Sequence, residues 1–201
     1  GLVDFLIDKG SKGLFAGGST GEGIALDNDE RKKLHEVTML AANGRVPVLV
    51  HVGAMRLDTA VELTEHAVAI GADAIVAVTP YFYGMHDDGL AAYYGAIASA
   101  APDVPLFAYD IPHLAVNGIS PRLATHLAES LPSLAGLKSS NVSVQTVRRL
   151  IDALPEDRIL LAGNETAALG SLALGADGLI SGLSTAVPEP FVALTRSFAE
   201  G

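Results

Sequence analysis

Ile70-Gly71-Ala72-Asp73-Ala74-Ile75 and Leu174-Gly175-Ala176-Asp177-Gly178-Leu179 carry one pattern twice: a helix end, a glycine cap, an aspartate and the start of a new apolar strand. Such a return marks equivalent corners of a repeated βα unit. Outward from these corners, strand-like runs recur at residues 13–18, 46–52, 74–79, 106–111, 134–138, 159–162 and 178–180. Helical periodicity fills the stretches between them, at about 2–9, 31–42, 57–70, 89–100, 120–129, 142–154, 166–174 and 188–198. Asp27 with Glu30 three residues later has capping-box spacing and opens the second of these helices.

Near-continuous apolar strands alternating with helices predict a parallel sheet covered on its faces, as a closed barrel or an open doubly wound sheet. Polar residues favour the barrel. Ser19, Thr20, Thr79, Tyr81, Tyr109, Lys138, Ser140, Asn164 and Ser184 all fall at C-terminal strand ends, where barrels collect their active-site groups. Seven strands are visible, whereas a (β/α)8 TIM barrel has eight and about 250 residues. The expectation is therefore one α/β barrel domain over residues 1–201, incomplete at both ends, lacking its first strand and its C-terminal helices.

Composition narrows the function classes. The 201 residues are 49% hydrophobic, with a net charge of −10 and no run of four basic residues, so a phosphate-tracking surface for nucleic acid is not expected. Cysteine is absent, which removes disulfides, thiolate metal sites and cysteine nucleophiles together. No apolar run reaches membrane-spanning length, and no signal-like segment opens the chain. A soluble, cytoplasmic enzyme is the expectation. His35, His51, His66, His86, His113 and His126 show no metal-ligand spacing.

Chemistry concentrates at Leu134-Ala135-Gly136-Leu137-Lys138-Ser139-Ser140. A lysine at the end of a buried strand loses hydration of its ammonium form, which lowers its pKa and frees the amine to attack a carbonyl. Lys138 is thus a Schiff-base candidate, against the plainer reading of a solvated residue just past a strand. Tyr109-Asp110-Ile111-Pro112 ends another strand with a phenol able to carry a proton. Ser19-Thr20-Gly21-Glu22 offers hydroxyls and backbone N–H groups suited to a carboxylate, though it also reads as a plain Gly-rich turn.

Taken together, Gly18-Ser19-Thr20-Gly21-Glu22, Thr79-Pro80-Tyr81, Tyr109-Asp110-Ile111-Pro112, Gly136-Leu137-Lys138 and Gly163-Asn164-Glu165 resemble the ordered motifs of the dihydrodipicolinate synthase / N-acetylneuraminate lyase family. The resemblance covers nearly the whole chain. It implies a (β/α)8 class I aldolase, a homo-oligomer of tetramer or dimer type, that binds pyruvate or another 2-oxo acid as an imine. No metal or organic cofactor is implied, only the covalent imine with Lys138. By the same resemblance Tyr109 carries protons, Ser19 and Thr20 hold the pyruvate carboxylate, and Ser140, Asn164 and Glu165 face the variable half of the substrate. Gly163 lets the backbone approach.

Departures from the family pattern bear on the substrate. Where the synthases place an arginine after the tyrosine motif, this chain has Leu114, which disfavours dihydrodipicolinate synthesis and suits a 2-keto-3-deoxy sugar acid or a sialic-acid-like substrate. Phe82 stands where the synthases often carry a second tyrosine, with Tyr83 beside it as a partial replacement, and Ala115 and Val116 replace a small hydroxyl residue and a glycine. The rivals are a 4-hydroxy-tetrahydrodipicolinate synthase that takes its carboxylate partner from elsewhere, such as Arg122, and a dehydratase using the same imine. A non-catalytic sugar-acid binding protein is the rival from outside enzymology.

Overall fold

The computed structural model describes residues 1–200. Seven strands, β1 (Leu14–Ala16), β2 (Val48–His51), β3 (Ala74–Val78), β4 (Leu106–Asp110), β5 (Leu134–Ser139), β6 (Ile159–Ala162) and β7 (Gly178–Leu179), form one sheet in the order of the chain. Every neighbouring pair is parallel. A doubly wound sheet reverses its strand order at a switch point, so this sequential order excludes that alternative.

The helices are α1 (Leu2–Asp8), α2 (Asn28–Ala42), α3 (Leu57–Ala69), α4 (Asp87–Ala100), α5 (Pro112–Ala115), α6 (Pro121–Ser130), α7 (Val144–Asp152), α8 (Ala168–Ala173) and α9 (Pro188–Glu200). The one-turn α5 is not foreseen by periodicity, because a single turn begun by a proline shows no repeat. Asp27 and Glu30 close the reciprocal capping box at the start of α2, with bonds of 2.8 and 2.9 Å. No helix among the described residues is long and apolar enough to cross a membrane.

The two repeated corners share a mechanism. Asp73 accepts the Val48 amide at 2.8 Å and Asp177 accepts the Leu160 amide at 2.8 Å, so each aspartate ties the entry of its own strand to the start of the preceding strand. Gly71 and Gly175 hold positive φ of 71° and 103°, which a side chain would disfavour.

Alternating strand residues separate two apolar layers. Leu14, Val48, Val50, Ile75, Ala77, Leu106, Ala108, Leu134 and Leu137 pack outward beneath the helices. Val76, Val78, Phe107 and Tyr109, joined by Phe15, Leu49, Ala135 and Leu161, fill the inner face. The sheet curls until its ends approach. A Cβ on Gly182, just past β7, would stand 2.4 Å from the Thr20 hydroxyl, just past β1. On the outside, Lys9 after α1 pairs with Glu189 of α9 at 2.6 Å. β1 and β7 are not hydrogen-bonded to each other, so the observed architecture is a curled seven-stranded sheet rather than a closed eight-stranded barrel.

One irregularity sets the site. Between β4 and β5 the register slips: Leu106 pairs with Leu134, but Phe107 pairs with Gly136, leaving Ala135 as an extra residue. Strict alternation from the outward Leu134 would send Lys138 outward as well. The bulge shifts the phase by one, so Ala135 and Lys138 face the interior while Leu134 and Leu137 face the helices.

Candidate active site

Lys138 and Tyr109 sit side by side on β5 and β4, directly paired in the register. Lys138 is 4% exposed, and its Nζ lies 3.4 Å from the centroid of the Tyr109 ring and 5.6 Å from that of Phe15. Nζ donates to the Ser140 hydroxyl at 3.1 Å. Burial lowers the lysine pKa to about 7, against the opposing pull of Glu165 and Asp110. Such an amine is substantially neutral at physiological pH, which the plainer reading of a solvated surface lysine does not allow.

The Tyr109 hydroxyl stands 3.4 Å from Ser19 Oγ and 3.4 Å from Ser140 Oγ. These are long contacts that a bound oxygen could shorten. Burial raises the phenol pKa, and the two serine contacts partly offset it, so the group starts protonated and ready to donate. Ser19 comes from the turn after β1, Tyr109 from β4, Lys138 and Ser140 from β5. Four groups from three strand ends therefore meet at one point.

Gly163, at the end of β6, closes the floor of this cluster. A Cβ there would fall 2.4 Å from Ser140 Oγ and 3.1 Å from Lys138 Nζ, so only glycine leaves the amine room. Thr20 stands against Gly182 across the mouth. Asn164 turns aside: its side-chain oxygen accepts the Thr166 amide at 3.0 Å and the Thr166 hydroxyl at 2.6 Å, capping a short helical turn. Glu165 accepts Ser181 Oγ at 2.9 Å and the Leu183 amide at 3.1 Å, which fixes its charge on the β7 side of the mouth.

Two organising residues have no role assigned by the motifs. Asp110, 1% exposed, accepts Ser139 Oγ at 2.8 Å and the Ile119 amide at 3.0 Å, binding β5 and the loop after α5 to the end of β4. Asn117 donates to the Pro80 and Tyr83 carbonyls at 2.6 and 2.8 Å and accepts the Met85 amide at 2.8 Å. It pins the aromatic loop, on which Phe82 and Tyr83 stack edge to face with ring centroids 4.9 Å apart. Neither role shows in the spacing, because the partners are backbone groups and one serine hydroxyl brought in from other elements.

Arg122 does not join the cluster. It pairs with Asp87 at 3.4 Å, its side chain is 79% exposed, and it lines a cleft with Met85, His86, Asp88 and Gly89 to which no residue of the lysine cluster contributes. Leu114 is exposed, at 63%. Among the described residues, no group of three or more His, Asp or Glu side chains is placed to hold a metal ion.

A curled parallel βα sheet with a desolvated lysine, a tyrosine and two serines at its C-terminal strand ends defines the class of barrel proteins that carry a buried amine at the mouth. The profile of the Dihydrodipicolinate synthetase family matches residues 1–201, and the chain belongs to that family. It is 35% identical over 196 residues to the 4-hydroxy-tetrahydrodipicolinate synthase of Salinibacter ruber, covering 98% of this chain and 65% of that protein. It is also 35% identical over 203 residues to the probable 2-dehydro-3-deoxy-D-pentonate aldolase YjhH of Escherichia coli K12, covering 100% of this chain and 67% of the relative. Among solved structures, YagE from E. coli K12, a dihydrodipicolinic acid synthase family protein in complex with pyruvate, superposes with a TM-score of 0.96 at 32% identity, over 100% of this chain and 68% of that one. The chain thus spans about two thirds of the length of these relatives.

Proposed function

We propose that the protein is a class I lyase that joins to, or cleaves from, pyruvate a hydroxylated aldehyde, with a 2-keto-3-deoxy sugar acid as substrate. The observation that carries this reading is the buried Lys138 amine, with a pKa of about 7, set against Tyr109 and Ser140. The neutral amine attacks C2 of the 2-oxo acid, and loss of water leaves a protonated imine. Tyr109, having given its own proton to the water that leaves in the previous step, takes up as a phenolate the proton of the C4 hydroxyl as the C3–C4 bond breaks, and the bonding pair moves into the imine to give an enamine. The aldehyde leaves, C3 is protonated, and water releases pyruvate and restores the amine. Ser19 and Thr20 hold the carboxylate, and the reaction draws on no cofactor beyond the imine.

The substrate assignment rests on Leu114. Leu114, apolar and exposed, cannot pair with the carboxylate of aspartate semialdehyde, and Arg122 lies outside the cluster, beside Asp87. The name of the E. coli pentonate aldolase agrees with a short hydroxylated chain, while a sialic-acid-like substrate is the longer variant of the same chemistry. The synthase reading is favoured by the name of the Salinibacter relative. Turnover of pyruvate with aspartate semialdehyde well above that with sugar acids would establish it instead.

Borohydride reduction in the presence of pyruvate tests the imine directly. A lactyl adduct on Lys138 is expected by mass spectrometry. At saturating pyruvate its rate is expected to rise only about tenfold from pH 6 to pH 8 and then level off, as the free-amine fraction does for a pKa of about 7. An ordinary lysine would gain about a hundredfold over the same interval. Gly163→Ala is expected to slow trapping at least about tenfold with little change in melting temperature, because the new methyl displaces Ser140 and crowds the amine without straining the backbone.

A further inference from the structure

Nζ of Lys138 lies over the face of the Tyr109 ring, 3.4 Å from its centroid. A phenol hydroxyl stands in the plane of its ring, so the amine faces the π cloud and not the acidic hydrogen. Among the described residues the hydrogen-bond partner of Nζ is Ser140 Oγ, at 3.1 Å. That same oxygen stands 3.4 Å from the Tyr109 hydroxyl and 3.4 Å from the Gly163 carbonyl. Ser140 follows β5 directly, is 5% exposed, and is anchored by its amide, which donates to the Asp110 carbonyl at 2.8 Å. Strand alternation puts it on the face of Lys138, while Ser139 between them turns to the Asp110 carboxylate.

We propose that Ser140 is a catalytic residue whose hydroxyl carries a proton from the Lys138 nitrogen to Tyr109 while the imine forms. This role rests on the imine reading of Lys138 and lies in the capture of pyruvate itself, apart from any contact with the aldehyde half. A hydroxyl has one hydrogen and two lone pairs. At rest the Gly163 carbonyl, which can only accept, takes the hydrogen, and the lone pairs face the amine N–H and the phenol O–H. Attack of the amine on C2 leaves a positive nitrogen and a negative oxygen, so one proton must pass from nitrogen to oxygen before water can depart. Tyr109 protonates that oxygen, the Ser140 hydrogen swings from Gly163 to Tyr109 over an equal 3.4 Å, and the nitrogen gives its proton to Ser140 Oγ. The carbinolamine is then neutral, and both hydroxyls again hold a hydrogen. Tyr109 spends its own in the next step, when the C2 hydroxyl leaves as water. Contacts that are long at rest are usual for such a chain, and a bound substrate oxygen tightens them.

Threonine and valine have the same shape, so comparing Ser140→Thr with Ser140→Val isolates the hydroxyl, and the packing cost of the added methyl is common to both. Each variant is mixed with saturating pyruvate for set times and quenched into borohydride, and the lactyl adduct on Lys138 is counted by mass spectrometry. Imine formation is expected to be at least about a hundredfold slower in Ser140→Val than in Ser140→Thr, the worth of a placed proton-transfer group. The extent reached at long times is expected to agree within about threefold, because a relay changes the rate and not the end point. The difference in rate is expected to persist from about pH 6 to about pH 9, across the titration of the amine. Equal rates in the two variants overturn the proposal and leave Ser140 as a contact for substrate alone. A gap that closes by about pH 9 also overturns it, since the hydroxyl would then act only by setting the fraction of free amine. Wild-type protein that forms no adduct overturns the imine reading and the relay with it, whereas rapid adduct formation in wild type and both variants overturns the relay alone.

Discussion

Lys138→Met is expected to abolish the pyruvate adduct, lower turnover by a factor of about 10⁴ or more, and make the protein more stable at neutral and acidic pH. The two effects have one cause. Burial holds the folded-state pKa of Lys138 at about 7, whereas a lysine in the unfolded chain titrates near 10.4. Between those values the unfolded chain binds a proton that the folded protein does not, so stability climbs with pH across that window. Below about pH 7 both states are protonated, and the folded protein carries the whole cost of a buried ammonium, about 2–5 kcal/mol. Methionine fills a similar volume without charge. Urea denaturation should therefore show the variant ahead by about that amount at pH 6, with the gap closing toward pH 10. A variant less stable than wild type at every pH would mean that the amine is not desolvated in the folded protein. Retaining a destabilising lysine beside a tyrosine is the pattern of a site held for chemistry rather than for stability.

Most of the fold was legible because its determinants are local. Asp73 and Asp177 sit where a helix cap must be followed by a strand entry, and Asp27 with Glu30 closes a box within a single turn. The lysine cluster was legible for a related reason: parallel strands put their C-terminal ends on one side, so Ser19, Tyr109, Lys138 and Ser140 meet even though 90 residues separate the first two. Asn164 and Glu165 were harder. Motif position put them near the substrate, but their hydrogen bonds are decided by the small hydroxyl residues Thr166 and Ser181, whose rotamers no spacing reveals. Asn117 was invisible as a site-builder, since an asparagine in a loop is commonplace until distant backbone carbonyls are brought to it. Arg122, named only as the rival synthase's carboxylate partner, stands beside an acid on a neighbouring helix, a pairing that no sequence spacing displays.

Gly136→Ala is expected to cost about 3–4 kcal/mol of stability and to remove most of the reactivity of Lys138, although residue 136 touches neither substrate nor amine. A Cβ on Gly136 would stand 1.9 Å from the Ile159 carbonyl oxygen and 2.8 Å from its carbon, so the obstacle is backbone of the adjacent strand, which cannot rotate away as a side chain could. Relief requires β5 and β6 to separate or β5 to abandon the bulge. The first route breaks the pairing of Lys138 with Leu161 and of Gly136 with Ile159. The second restores strict alternation from Leu134 and turns Lys138 toward the helix layer, away from Tyr109 and Ser140. Either way the amine leaves its pocket. In whatever fraction of the variant folds, Lys138 is then expected to titrate closer to the ordinary lysine range, and borohydride trapping at pH 7 should fall at least about fiftyfold, as the neutral fraction does when a pKa near 7 returns above 9. A folded Gly136→Ala protein that traps pyruvate at the wild-type rate would show that the bulge does not aim the lysine. The glycine two residues before Lys138 is then part of the reactive group's design in a strictly geometric sense: it supplies the extra half-turn of pleat that an alternating strand cannot.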